Sequence, residues 1–409
     1  MSQEQKHVNK KSTNKIIRPK IVLKKDIKKR VYNGHPWIYD NEIEKIEGEF
    51  EDGHIVDVFT HANQFLGTGY INTKSKITIR LLSRSYTDVN EEFFRKRIEK
   101  AIKSRYSISQ QYAYRVIFGE ADGLPGLIVD KFGEYLIIQF NTLGINRHRD
   151  SILKVLIELF DPKGIFERSE GSAIKKEGLE EKNGWIYKEG PELIPFEMNG
   201  IKFFADTKGQ KTGAFLDQRD NARKLMEFAD NKICLDCFSY TGNFGMHLLK
   251  GGAKHVTFVD YSERALEVAR EIAKINNFTN CDFIVANAFD FLKDEYERSK
   301  LYDIVVLDPP SFAKSASSRD AAFKGYKEIN YRSMKILRDE GLLATASCTQ
   351  VVSFEEFEHV IIDAGIDAKV IMKLIYRGGQ ALDHPQVYNI LETMYLKFLI
   401  LQIIRINKW

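Results

Sequence analysis

The residues with most chemistry to offer stand where short apolar runs end. Asp308 follows Val305-Val306-Leu307 and precedes Pro309-Pro310-Ser311-Phe312, so a carboxyl group closes a strand and two prolines stiffen the loop beyond it. A later run closes as Ala346-Ser347-Cys348-Thr349-Gln350, which brings a thiol to the same sheet edge. A lone buried cysteine is ordinarily structural, whereas one at a strand end facing a ligand cleft can serve as a nucleophile. Cys348 is the candidate nucleophile, with Asp308 beside it.

Three earlier strand ends have the makings of a ligand site. Leu235-Asp236-Cys237-Phe238-Ser239-Tyr240-Thr241-Gly242-Asn243-Phe244-Gly245 puts a carboxylate at a strand end and glycines in the turn that opens a helix. Ligands of doubly wound sheets bind at these carboxyl ends, where glycine permits close backbone approach. Such a turn also suits a dinucleotide, but G-x-G-x-x-G is absent. The next strand ends in Val259-Asp260, and a carboxylate there can accept both ribose hydroxyls of an adenosine-containing ligand. Tyr261 and Ser262 follow it, and Ser262 is also placed to cap the helix that runs to about Asn276. The third ends in Ala286-Asn287-Ala288-Phe289, where the amide can read an adenine edge, although Asn287 taken singly reads as a helix cap.

These ends need a scaffold, and the pattern from Asn231 supplies one. Strands Ile233 to Phe238, His255 to Asp260, Cys281 to Ala286, Tyr302 to Leu307 and Gly341 to Ser347 alternate with helices, as in a doubly wound α/β sheet. Runs at Val370 to Tyr376 and Thr393 to Ile404 can complete it. Upstream, Ile21 to Arg84 reads as a small β-rich unit of short strands separated by Gly34, Gly53 and Gly67. Between them, helices over Glu91 to Tyr106 and Asp150 to Phe160 and strands at Ala113 to Gly119, Leu127 to Val129, Tyr135 to Phe140, Gly164 to Glu167 and Ile201 to Ala205 make an α+β middle unit.

Composition sets the outer bounds. A chain of 409 residues implies two or three domains, and 43% hydrophobic with 29% charged residues supports packed cores over disorder. The net charge of +4 does not diagnose a polyanion partner, but Met1 to Arg30 holds eleven Lys or Arg against Glu4 and Asp26. That basic arm reads equally as a solvated tail and as a phosphate contact. No apolar run suits a signal peptide or a membrane span, so a cytoplasmic protein is expected. Cys234, Cys237, Cys281 and Cys348 lack paired zinc-ligand spacing, so neither a metal site nor a disulfide framework is expected.

The succession Asp236 to Gly245, Asp260, Asn287, Asp308-Pro309-Pro310 and Ser347-Cys348 resembles the class I methyltransferases. Gly213-Ala214-Phe215-Leu216-Asp217-Gln218-Arg219-Asp220-Asn221, Cys237 to Gly242, Asp308 to Phe312 and Leu382-Asp383-His384-Pro385 resemble more closely the bacterial large-subunit rRNA cytosine-5 methyltransferase family. Gly34-His35-Pro36-Trp37-Ile38 looks like part of that family's PUA domain, and Glu120-Ala121-Asp122-Gly123-Leu124-Pro125-Gly126-Leu127 like part of its linking domain.

The resemblance implies a Rossmann-like class I methyltransferase domain over 199–409, preceded by a basic arm over 1–20, a PUA-like RNA-binding barrel over 21–86 and an α+β domain over 87–198. S-adenosyl-L-methionine is the implied cofactor, held by Asp236, Phe238, Ser239, Tyr240, Thr241, Gly242, Asp260, Tyr261, Ser262, Asn287, Ala288, Asp308 and Pro309. Gln218 and Arg219 are implied at its methionine end, where the guanidinium can pair with the carboxylate. Cys348 adds to C6 of a cytosine in the implied reaction, and Asp308 holds or protonates the Watson–Crick edge. Ser311 stands where a related group has a second cysteine, so the base that removes the C5 proton is not assigned. Large-subunit rRNA is the implied partner, with Phe312, Lys314, Lys324 and Tyr326 as means of holding it and a homodimer left open. Methylation of a guanine nitrogen and a silent RNA-binding assembly factor are the rival readings.

Overall fold

The structure, a computed structural model, describes residues 18–105, 107, 112–209, 211–313 and 318–408. Nearly all of the basic arm, Tyr106 and Lys314 lie outside the described residues.

The N-terminal unit is a six-stranded sheet that starts at Lys20–Leu23 and ends at Ile79–Ser83. Alternate residues of its strands, among them Ile21, Leu23, Val56, Val58, Ile71 and Ile79, close a small core of their own. Gly67 does not separate strands as its residue type suggests. It sits inside the Phe65–Ile71 strand, where a side chain at Gly67 or Gly69 would lie 2.5 or 2.4 Å from the backbone carbonyls of Ser83 and Arg80. Close strand pairing, rather than a turn, is what glycine serves there.

The middle unit is a five-stranded sheet from Ala113–Phe118 to Lys182–Tyr187, backed by helices Glu91–Ser104 and Arg149–Phe160. The first helix begins at an Asn90 cap that accepts the Phe93 N–H at 3.0 Å. It ends at Ser104, and the Arg105 guanidinium then turns inward to pair with Asp122 at 2.7 Å.

The C-terminal unit carries seven strands: β1 Ile233–Cys237, β2 His255–Asp260, β3 Cys281–Val285, β4 Tyr302–Leu307, β5 Leu337–Ser347, β6 Val370–Gly378 and β7 Lys397–Arg405. They lie in the order 3-2-1-4-5-7-6, with β1 to β5 parallel and β7 antiparallel to both neighbours. Helices α1 Asn243–Lys250, α2 Glu263–Ile275, α3 Ala288–Glu297, α4 Arg319–Ile336 and α5 Phe354–Ala368 cover the faces. Ser262 Oγ caps α2 by accepting the Ala265 N–H at 3.2 Å, and Leu266, Ala269, Ile272 and Ala273 bury one stripe of it. The order reverses between β1 and β4, so the carboxyl ends of those strands open on one crevice.

Of the boundaries that differ from expectation, two bear on how the units join and where the site lies. β7 begins at Lys397 rather than Thr393, because Thr393 lies in a short 3₁₀ turn where its hydroxyl donates to the Ile390 carbonyl at 2.7 Å. Asn199, expected to open the last domain, lies in the turn of a hairpin formed by Leu193–Met198 and Ile201–Asp206. That hairpin packs both ways: Phe196 lies 5.0 Å from the Phe132 ring of the middle sheet, and Phe203 stacks on His247 of α1 at 5.9 Å. One hydrophobic core runs through it, so no linker separates the two units.

Candidate active site

A cavity of about 350 Å³ opens at the carboxyl ends of β1, β2, β4 and β5. Its wall begins at Asp236, the penultimate residue of β1. The turn that follows places Phe238, Tyr240 and Gly242 at φ values of 60°, 49° and 87°, which carries the backbone sharply into α1. A side chain at Gly245 would lie 2.0 Å from the Phe258 ring, so glycine is what lets α1 pack against β2.

Asp236 Oδ2 accepts the Gly245 N–H at 2.8 Å, while Oδ1 is buried without a partner among the described residues. Burial pushes the carboxyl up to about 8, and Asp308 and Asp260 push in the same direction. Asp260 holds the turn from the other side, accepting from the backbone N–H groups of Tyr240 at 2.9 Å and Ser262 at 2.8 Å. Asn243, which opens α1, has both amide atoms buried and unpaired among the described residues, as does the Ser239 hydroxyl. Buried polar atoms are nearly always paired, so this convergence on one cavity marks a surface made to meet a polar ligand.

At the opposite end the side chains are hydrogen-bonded to one another. Asp308, just past β4, accepts the Gln218 side-chain N–H at 2.9 Å. Asn221 donates to Gln218 Oε1 at 2.7 Å, which fixes the amide so that its nitrogen faces Asp308. Burial lifts the Asp308 carboxyl to about 7, Asp217 adds to the rise, and Gln218 and Lys211 oppose it. Cys348 follows β5 with its Sγ 3.9 Å from the Pro309 carbonyl. Burial pushes this thiol up, Lys211 and Lys397 draw it down, and Asp308 and Asp217 push it up. Its neighbours are held firmly. Tyr326 meets Ser347 Oγ at 3.0 Å and Thr349 Oγ1 at 2.7 Å, and Lys397 donates to the Thr349 carbonyl at 2.6 Å. Ser311 ties the two loops together through Thr349 Oγ1 at 3.1 Å.

Gln218, Asp236, Phe238, Ser239, Tyr240, Thr241, Asp260, Tyr261, Asp308, Pro309 and Cys348 all line this cavity. Gly242, Ser262, Asn287 and Ala288 do not: Ser262 and Asn287 act as helix caps, the latter accepting the Phe289 N–H at 2.9 Å. Arg219 requires a correction. Its guanidinium, 1% exposed, forms a bidentate pair with Asp383 at 3.0 Å and 3.0 Å, so it is not available for a ligand carboxylate. Tyr326 is buried at the foot of the Cys348 loop and Phe312 packs on it at 4.7 Å, so neither is a free platform for a base. Sequence reasoning missed Lys211, Asp217, Asn243 and Tyr395. Asp217 accepts the Tyr395 hydroxyl proton at 2.6 Å. The first three lie within or beside quoted motifs, but Tyr395 has no sequence signal, because its place follows from the 3₁₀ turn before β7.

The donor set fits S-adenosyl-L-methionine. Asp260 stands where ribose hydroxyls can reach it, the unpaired Asp236 oxygen and Asn243 amide suit an amino-acid end, and Phe238, Phe215 and Phe203 give apolar wall. Fold and cavity define an S-adenosylmethionine-dependent methyltransferase joined to a PUA-like domain. Residues 21–84 match the PUA-like domain family, and residues 179–355 match the S-adenosylmethionine-dependent methyltransferase family. The ribosomal RNA large subunit methyltransferase I of Pseudoalteromonas atlantica is 37% identical over 94% of this chain and 99% of that one. Its counterpart in Tolumonas auensis is 38% identical over 94% and 99%. The chain belongs to the ribosomal RNA large subunit methyltransferase I family. A SAM-dependent methyltransferase from Streptococcus mutans shares the fold at TM-score 0.80 and 22% identity, over 94% of this chain and 99% of that one. A methyltransferase solved with SAH does so at 0.81 and 23%, over 94% and 99%.

Proposed function

We propose that this enzyme forms 5-methylcytidine in large-subunit ribosomal RNA through a covalent adduct of Cys348 at cytosine C6. The observation that carries the reading is the placement of Cys348 Sγ, 3.9 Å from the Pro309 carbonyl, on the same cavity as Asp308 and the polar cradle for the cofactor. A pyrimidine C5 is a poor nucleophile, so its methylation calls for a covalent one. The Cys348 thiolate adds to C6, and the C5=C6 electron pair becomes available at C5. Bound S-adenosyl-L-methionine supplies an electrophilic methyl group. Once C5 carries the methyl, a base that no residue here is assigned to takes the C5 proton, the C5=C6 double bond re-forms, and the S–C6 bond breaks to release the Cys348 thiolate. Asp308, lifted to about 7, can hold a proton for the Watson–Crick edge near neutrality while Gln218 keeps its other oxygen in place.

RNA is the partner this reading requires. We assign its first contacts to the PUA-like unit, within 21–86, and the chemistry to the unit that follows the hairpin at Asn199. No helix among the described residues is long and apolar enough to cross a membrane. A ribosomal RNA substrate supports a cytoplasmic location. Neither fold nor relatives support a homodimer.

The test is to incubate the protein with methyl-labelled S-adenosylmethionine and ribosomal RNA from cells lacking the enzyme, then digest and identify the labelled nucleoside. Label in 5-methylcytidine that disappears in Cys348→Ala supports reaction and nucleophile together. Label in a guanosine would keep the fold and the cofactor but discard the role given to Cys348.

A further inference from the structure

Among the described residues, the thiol at the head of this mechanism has no histidine partner. Among the described residues, the charged or phenolic groups that act on Cys348 include the cations Lys211 and Lys397, the acids Asp308 and Asp217, and the phenols Tyr326 and Tyr395. The acids and burial all disfavour a thiolate. Of the two cations, Lys397 is buried and committed, donating to the carbonyls of Thr349 at 2.6 Å and Tyr395 at 2.8 Å. Lys211 is different: it stands exposed at the cavity wall, and no ion pair within 4.0 Å engages its ammonium among the described residues.

Its placement is built. Arg168, 1% exposed, donates to the carbonyls of Gly209 at 2.6 Å, Lys211 at 3.3 Å and Asp206 at 3.5 Å, and also to that of Thr207. One buried guanidinium thus gathers the turn that presents Lys211. The Asp206 N–H donates to the Gly213 carbonyl at 3.3 Å, and a side chain at Gly213, φ 90°, would lie 2.8 Å from Asp206 backbone atoms. Lys211 itself is held at φ 49°, a left-handed conformation that is uncommon for a lysine. Its ammonium lies 4.5 Å above the Phe215 ring, which keeps it on the cavity side.

We propose that Lys211 is the cation that makes Cys348 a usable nucleophile, favouring its thiolate by charge across the cavity in the role a histidine fills in other thiol enzymes. This rests on the reading of Cys348 as the nucleophile. Lys211 acts through Cys348 and forms no bond with substrate.

Thiol alkylation reads the effect without turnover. Cys234 and Cys237 are fully buried, so a Cys281→Ser background leaves Cys348 as the accessible thiol. The pH profile of its modification by iodoacetamide gives the thiol's midpoint independently of steric access, which changes only the plateau. In Lys211→Gln the midpoint is expected to rise, slowing alkylation at pH 7.5 by about threefold to tenfold, equivalent to about half to one pKa unit. Lys211→Arg should restore it. Superimposable profiles for Lys211→Gln and its parent would overturn the proposal, even if the variant binds RNA less well. A shifted midpoint beside full methylation by Cys348→Ala would leave the electrostatic coupling standing and remove the nucleophile reading instead.

Discussion

Two buried acidic regions lie within the same catalytic unit and are treated in opposite ways. In the seam toward the middle unit, Asp383 meets Arg219 at 3.0 Å, accepts the Arg115 backbone N–H at 2.9 Å and lies beside His384 at 3.0 Å. Burial alone would raise this carboxyl, but His384 and Arg219 hold it well below the usual range. Its own carbonyl accepts from Arg105, which pairs with Asp122, so the seam is a chain of satisfied charges across the two units. At the cavity, buried Asp236 and half-buried Asp308 have no cation in contact among the described residues, Lys211 acting on Asp308 only from across the cavity, and burial lifts them to about 8 and about 7. An acid given its counter-ion holds a fold together; an acid denied one is left for a ligand or a proton.

The contrast predicts that variants should separate activity from stability. The largest effect is expected for Cys348→Ala, which should reduce methylation to background while its melting temperature and SAH affinity stay close to the parent's; retained turnover would count against the cavity's assigned role. Asp308→Asn should lower the rate by about 10²- to 10⁴-fold, a typical range for loss of a positioned proton donor, again with the fold intact. Asp383→Asn should do the reverse. Leaving Arg219 buried beside a neutral amide should cost about 3–5 kcal/mol in denaturant unfolding, with the rate per folded molecule largely kept. If Asp383→Asn melted like the parent but lost its rate, the seam would have to be counted as part of the active site.

This division also marks what the sequence could reveal. Strand-end acids are legible because β1, β2 and β4 are short apolar runs interrupted at their ends by a carboxylate, and all three observed strands end within a residue of expectation. Cys348 is legible because the apolar stretch Leu342 to Ala346 gives way to polar residues at Ser347. Arg219 was misread because its neighbour Gln218 does face Asp308, and only the fold shows that successive residues of one turn diverge toward the cavity and toward Asp383. Tyr395 and Asp383 were beyond reach in a stronger sense. Their partners lie 178 and 164 residues away along the chain, and no local pattern encodes pairing at that separation.

Two smaller effects sharpen the comparison through protons. With its carboxyl near 8, Asp236 is largely protonated at pH 7, and a ligand ammonium beside its unpaired oxygen would draw it to the carboxylate. SAH binding measured calorimetrically in buffers of differing ionisation enthalpy should then release a fraction of a proton, up to about one, and Asp236→Asn should abolish the release.

The smallest expected effect is on the stability of the ligand-free protein. For Asp308, the folded carboxyl sits above its unfolded value of 3.8, so the folded state binds the extra proton between about pH 4 and 7. Its contribution therefore stabilises the fold as pH falls through that window and destabilises it as pH rises. Asp383, held below its unfolded value, has the opposite sign: its contribution is present above about pH 4 and is lost only on further acidification. Thermal melts of parent and Asp308→Asn should accordingly diverge at pH 8, where the variant no longer carries the unpaired charge, and converge toward pH 5. A gap that stayed constant across that range would mean that Asp308 is already compensated in the empty cavity, and the line between satisfied and unsatisfied acids would have to be redrawn to leave Asp236 alone on the unsatisfied side.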